Sequence, residues 1–98
     1  MVKEIFKVDT EKVGKSKWLY DSGAGEHITN NIKLLKNFKK KNIKLKCTNN
    51  TYCHFEGHGE FEFTINNHYF KFKRVLYSKD AAKNIISGIE WAKQVLKH

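Results

Sequence analysis

Proline is absent from this chain of 98 residues, so its turns are left to Asn, Asp and Gly. Cysteine occurs only at Cys47 and Cys53, a usage that suggests a reducing compartment and excludes a disulfide framework. No stretch approaches the roughly 20 apolar residues of a membrane span, and no signal-peptide pattern is present. The expectation is a soluble, intracellular chain with no membrane partner. Arginine is nearly missing: Arg74 stands alone among 19 basic residues. The formal charge of +9 is therefore carried by lysine, which attracts phosphate without the forked contacts of guanidinium. The length supports one domain. A monomer this small buries a modest fraction of its surface, so a partner subunit would add stability.

One acid stands out. Asp21-Ser22-Gly23-Ala24 follows the apolar run Trp18-Leu19-Tyr20 directly. An acid at the end of a buried strand, on a turn of small residues, suits half of an aspartic peptidase site. That chemistry needs two carboxylates, one ionised to take a proton from water and one protonated to donate to the peptide carbonyl. Two carboxylates about 3 Å apart share one proton and titrate as a pair. No second Asp-Ser/Thr-Gly occurs, so the site requires a second copy of the chain on a twofold axis. Gly23 removes Cβ where backbone and substrate come close, and Ser22 has a hydroxyl that both donates and accepts. The bland alternative is a solvated turn in which Asp21 caps its own backbone.

The remaining pattern reads mostly as strands. Residues 1–16 are an N-terminal strand and linker, with the strand near 4–8 and the linker over 10–16; residues 17–98 form the domain. Residues 30–41 read as one helical turn and a loop. Residues 43–47 alternate at period 2, Asn49-Asn50 makes a turn, and residues 51–55 return as a hairpin. Gly57-His58-Gly59 reads as a bulge or a tight crossing of strands. A second hairpin turns at Asn66-Asn67, with Phe70 and Phe72 on one face of the return strand and Lys71 and Lys73 on the other. Residues 84–87 form a short buried strand. Residues 88–96 form a helix with Ile89, Ala92 and Leu96 at apolar spacing.

Five pieces occur in order: Trp18-Leu19-Tyr20-Asp21-Ser22-Gly23-Ala24, Glu26-His27-Ile28-Thr29, Gly57-His58-Gly59, Val75-Leu76-Tyr77 and Asn84-Ile85-Ile86-Ser87. In this order and spacing the chain resembles the protease segment of copia-type LTR retrotransposon polyproteins, a branch of the retropepsin-like aspartic peptidases. It departs at Gly25, where that family usually has a small polar residue. It also has Ile85-Ile86, followed by Gly88, where Asn-Leu-Leu-Ser is frequent. The resemblance implies an all-β, retropepsin-like small closed β domain with a flap hairpin and one C-terminal helix, working as a homodimer. It implies catalysis by Asp21 of each subunit, with Ser22, Gly23 and Ala24 shaping the loop. Thr48, Asn49, Asn50 and Thr51 would form the substrate-binding flap. The implied substrate is an extended segment of the element's own polyprotein, cut without metal or cofactor, with a virus-like particle as the place of work.

Other arrangements carry less. Cys47, Cys53, His54, His58 and His68 lack a Cys-x-x-Cys pair, and His54 and His58 would lie about 13 Å apart along a strand, too far for one zinc ion. His27 with Ser22 lacks a third member and an oxyanion-hole motif, so its expected role is local hydrogen bonding. The lysines could give weak nucleic-acid attraction, with Phe70 and Phe72 as stacking platforms, although aromatics at alternate strand positions read first as core. The alternatives to a peptidase are a catalytically inactive binding module of the same fold and a basic β-domain that binds RNA or single-stranded DNA.

Overall fold

The computed structural model describes residues 3–10, 14–46 and 51–96. Its strands are β1 (Lys3–Thr10), β2 (Gly14–Asp21), β3 (His27–Thr29), β4 (Lys36–Lys46), β5 (Tyr52–Ile65), β6 (His68–Tyr77) and β7 (Ile85–Ser87), followed by the helix α1 (Gly88–Leu96). Neighbouring strands run in the order β1-β2-β7-β3-β6-β5, and a β1–β5 pairing at Asp9 and Thr64 closes these six into a barrel. Strand β4 lies outside the closure, on the edge of β5. The architecture is all-β with one C-terminal helix, as the sequence implies.

Alternation fills the barrel. Val8 on β1, Trp18 on β2, Phe61 and Phe63 on β5, and Phe72 and Val75 on β6 point inward and are buried. Trp18 stacks on Phe61 at 4.5 Å between centroids, and Phe61 stacks on Phe63 at 4.7 Å. Phe72 is fully buried and Lys73 exposed, so the expected two faces of β6 are present. Phe70 and Phe72 are thereby spent on the core and present no platform for bases.

The turns follow residue chemistry. Asn66 and Asn67 both have positive φ, 50° and 66°, the left-handed pair of a tight hairpin between β5 and β6. At the other hairpin, β4 and β5 pair as far as Lys46 and Tyr52. The tip with Thr48, Asn49 and Asn50 lies outside the described residues; Thr51 is exposed. Cys53 is disulfide-bonded, against the expectation from a reducing compartment. The other cysteine, Cys47, lies outside the described residues.

Three local readings differ from expectation. The stretch 30–41 does contain a helical turn, the 3-10 turn Ile32–Leu34, but the loop expected after it is the first half of β4. Lysine-rich composition hid that strand, because an edge strand exposes most of its side chains. The linker expected over 10–16 is shorter, since β1 runs through Thr10 and β2 starts at Gly14. On α1, Ile89 and Ala92 face outward, and Trp91 supplies the packing against Phe70 and Phe72 at 5.2 and 5.4 Å.

Gly57 and Gly59 are the tight crossing that the sequence suggests. The β4–β5 register shifts between Lys36 and Lys39 and again between Lys40 and Ile43, which brings β4 backbone over the glycines. A Cβ at Gly57 would run into the Lys39 carbonyl oxygen and the Phe38 ring. Gly57→Ala is therefore expected to lower stability by about 1–3 kcal/mol in urea unfolding, the usual range for overpacking. Gly25→Ala, with nothing within 4 Å of its added methyl, serves as control and should stay within about 0.5 kcal/mol of wild type. Equal midpoints for the two variants would contradict the crossing.

Candidate active site

Asp21 is the last residue of β2, and its position is set from both sides. It lies opposite Lys3 of β1 and, in parallel register, opposite Ser87 of β7. The chain then turns away: the Ala24 N–H donates to the Asp21 carbonyl at 3.2 Å. The Gly23 N–H donates to Asp21 Oδ1 at 2.9 Å. One carboxylate oxygen is thus tied to the turn. The other, Oδ2, has no hydrogen bond among the described residues. Asp21 and Ser22 are half-buried and Gly23 is exposed, so the acid is reachable from solvent.

The turn is braced by the end of β7. The Ser87 hydroxyl donates to the Ala24 carbonyl at 2.6 Å and accepts from the Glu90 N–H at 3.0 Å. Ser87 is therefore the N-cap of α1, and Ser87-Gly88-Ile89-Glu90 has the spacing of a capping box. Gly88 completes the junction. A Cβ there would stand 2.8 Å from Ser22 Cα and from the Tyr20 hydroxyl, so only glycine lets the helix start against the turn. The positive end of the α1 dipole consequently lies one strand spacing from Asp21.

His27 holds the far side. Its Nδ1 accepts from the Ser87 N–H at 2.9 Å, which fixes the proton on Nε2. The ring is buried and stacks flat on Phe72, with centroids 3.7 Å apart. Burial pushes its pKa down from 6.5 to about 4. His27 is thus a neutral structural acceptor; local hydrogen bonding was the role expected of it, but its partner lies 60 positions along the chain. Below it, Thr29 donates to Asn84 Oδ1 at 2.6 Å, and the Asn84 side-chain amide donates to the Lys17 carbonyl at 3.0 Å. Asn84 therefore pins β2 and β3 to the approach of β7.

Of the residues singled out from sequence, Asp21, Ser22, Gly23 and Ala24 are brought together in one turn. Thr51 stands on the β4–β5 hairpin, and Thr48, Asn49 and Asn50 fall outside the described residues. The bracing roles of Ser87 and Gly88, and the identity of the His27 partner, are not legible in the local sequence. A Ser-x-x-Glu spacing before an apolar helix was the signal available for Ser87. Among the described residues, no group of three or more His, Cys, Asp or Glu side chains is placed to hold a metal ion.

The His27 environment has a pH consequence. Between about pH 6.5 and pH 4 the unfolded chain binds a proton that the folded imidazole refuses. Stability is full above the upper value and is lost as pH falls through the window, on the order of 3 kcal/mol in all. Urea unfolding from pH 7.5 to 4 is expected to show this loss, and His27→Gln should flatten it. An unchanged slope in the variant would refute the assignment.

A family model described as Pol polyprotein, beta-barrel domain, matches residues 18–95. No curated protein and no solved structure matches the chain.

Proposed function

Since the chain belongs to the Pol polyprotein beta-barrel domain family, and is thus a domain of a retroelement polyprotein, we propose that it is the element's aspartic endopeptidase, of the copia-type, retropepsin-like kind. The observation that carries this reading is the presentation of Asp21. A carboxylate ends strand β2, three residues after the buried Trp18, on a braced, solvent-reachable turn, with one oxygen anchored and the other without a hydrogen bond among the described residues. A turn that served only its own backbone would not need a serine, a glycine and a helix N-terminus packed behind it.

The chemistry requires two copies. With the twofold axis beside Asp21, the two carboxylates approach to about 3 Å and hold one proton between them. The ionised member takes a proton from the bridging water. The water oxygen attacks the peptide carbonyl carbon as the protonated member donates to the carbonyl oxygen. The resulting tetrahedral diol collapses when a proton reaches the leaving nitrogen, and no covalent bond to the protein forms. Gly23, exposed and without Cβ, allows close approach. The substrate is an extended peptide of the polyprotein, gripped strand-fashion through its backbone beneath the β4–β5 hairpin as flap. Neither metal nor cofactor takes part in this scheme.

The second reading, a barrel that binds without cutting, is favoured by the Gly23 to Asp21 bond, which is also the bond of a plain Asp turn. Cleavage of a diverse peptide pool from pH 4 to pH 7 separates the two. Wild type should cleave, and Asp21→Asn should lose at least about a thousandfold in rate while keeping its melting temperature. Retained turnover in the variant would sink the peptidase assignment, and no cleavage by a folded wild-type dimer would favour the binding module. Activity per subunit should also fall on dilution, because each monomer holds half a site. Constant specific activity across the dissociation range would count against the dyad.

A further inference from the structure

Strand β4 places exposed lysines along the edge of the sheet, and strand β5 beside it carries the acids that could neutralise them. Two of those acids, Glu60 and Glu62, are already paired with cations, and Glu56 is held by a backbone N–H but keeps its charge. Glu56 Oε2 accepts from the Lys79 N–H at 3.2 Å. Glu60 Oε1 accepts from the Asn37 side chain at 3.1 Å and pairs with Lys71 at 3.3 Å. Glu62 pairs with Lys36 at 3.5 Å. Lys39, Lys41 and Arg74 hold no salt bridge among the described residues.

Lys39 and Arg74 flank His58 from the two neighbouring strands, and Lys41 lies two residues along β4 from Lys39. Lys39 lies directly opposite His58 across the β4–β5 ladder. Arg74 lies across the other ladder, next to Val75, which faces Gly59 at the β5–β6 register shift. Partial burial, then the charges of Arg74, Lys39 and Lys41, hold the His58 imidazole below its ordinary pKa. Lysines on an edge strand have a bland use, since they keep the edge from pairing with another chain. That use does not extend to Arg74, because β6 is an interior strand between β3 and β5.

Toward the hairpin end the same two strands add an aromatic surface. Tyr52 is 55% exposed, with Lys44 Nζ 4.5 Å from its ring centroid. Lys46 lies opposite Tyr52 and Lys44 opposite His54. From Tyr52 to His58 the strand runs about 20 Å. A cationic track with an exposed ring at one end is what a flexible polyphosphate with stacking bases requires. The ring offers a base a stacking face beside the cations.

We infer that Lys39, Lys41 and Arg74, continued by Lys44 and Tyr52, form a binding face for single-stranded nucleic acid. Phosphates sit against the three cations and a base lies on Tyr52. The face does not involve Asp21, so it stands or falls independently of the peptidase reading.

The test is fluorescence anisotropy of a labelled single-stranded oligo-uridine with the full chain, between about 50 and 200 mM salt. Three phosphate contacts give a slope of log K against log salt near −2. The triple variant Lys39→Glu, Lys41→Glu, Arg74→Glu should bind at least tenfold more weakly and lose most of that slope. A control with the same net charge, Lys7→Glu, Lys15→Glu, Lys83→Glu, should stay within about threefold of wild type after its uniform field effect is screened at the higher salt. Tyr52→Ala should weaken binding at least fivefold while leaving the slope unchanged. If charge reversal disturbs folding, the neutral triple Lys39→Gln, Lys41→Gln, Arg74→Gln reads the same contrast at smaller size. Equal losses in the two triples, absence of salt dependence, or equally tight binding of poly-glutamate would each overturn the proposal.

Discussion

The constraint on which the site depends is the insertion of β7 between β2 and β3. Those two strands follow one another in sequence but do not pair; each pairs with β7. Three residues of β7 therefore hold the two strands that flank the Asp21 turn. Ser87 concentrates the load. Its N–H goes to His27, its hydroxyl goes to the Ala24 carbonyl, and the same hydroxyl receives the first turn of α1. The bond to His27 is buried and the two hydroxyl bonds are partly buried, so losing the His27 acceptor strands the Ser87 N–H away from water, which costs about 1–3 kcal/mol. That network braces the turn whose Gly23 N–H holds the carboxylate.

The aromatic core fixes the network in turn. Trp18 lies three residues before Asp21 and stacks on Phe61; His27 lies on Phe72; Trp91 of α1 packs its edge on Phe63, Phe70 and Phe72. Strand β2, strand β3 and the helix thus meet the same aromatic cluster from three directions. Flat rings tolerate sliding, but a serine hydroxyl at 2.6 Å does not. Apolar area supplies most of the stability and the buried hydrogen bonds supply the register. Gly88 is the point where both meet, since any larger residue would wedge the helix away from Tyr20 and Ser22.

Much of this was legible in the residues. Period-2 alternation marked the arms of the β4–β5 hairpin and strand β6, Asn66-Asn67 marked a turn, and Asp21 stood out because small residues follow an apolar run. What was missed has a common cause. The first half of β4 has no buried alternation to show, because it lies outside the barrel closure and only Phe38 of residues 36–41 is partly covered. The helix face was misassigned because Trp91 alone fills the space that Ile89 and Ala92 were expected to fill, leaving Ile89 43% exposed. Ser87 and His27 were visible as residues, but their partners lie 63 and 60 positions away, and a local pattern cannot show such pairings.

Two proton requirements meet in this molecule if the proposed dyad is correct, and they pull in opposite directions. A carboxylate pair works with one proton between its members, a state favoured by mild acid. His27 must stay neutral to accept from Ser87, and its buried ring resists protonation only down to about pH 4. Acid that prepares the chemistry therefore weakens the brace behind it, beginning near pH 6.5 where the unfolded chain starts to gain its proton. The proposed dimer would relieve the conflict by mass action, because a partner that binds only the folded barrel raises the stability of that barrel. Concentration and acidity should then act together: the acid limb of any activity profile is set by the barrel at low protein concentration and by the carboxylates at high. A limb that moves with concentration would identify folding, through His27, as the element that titrates first.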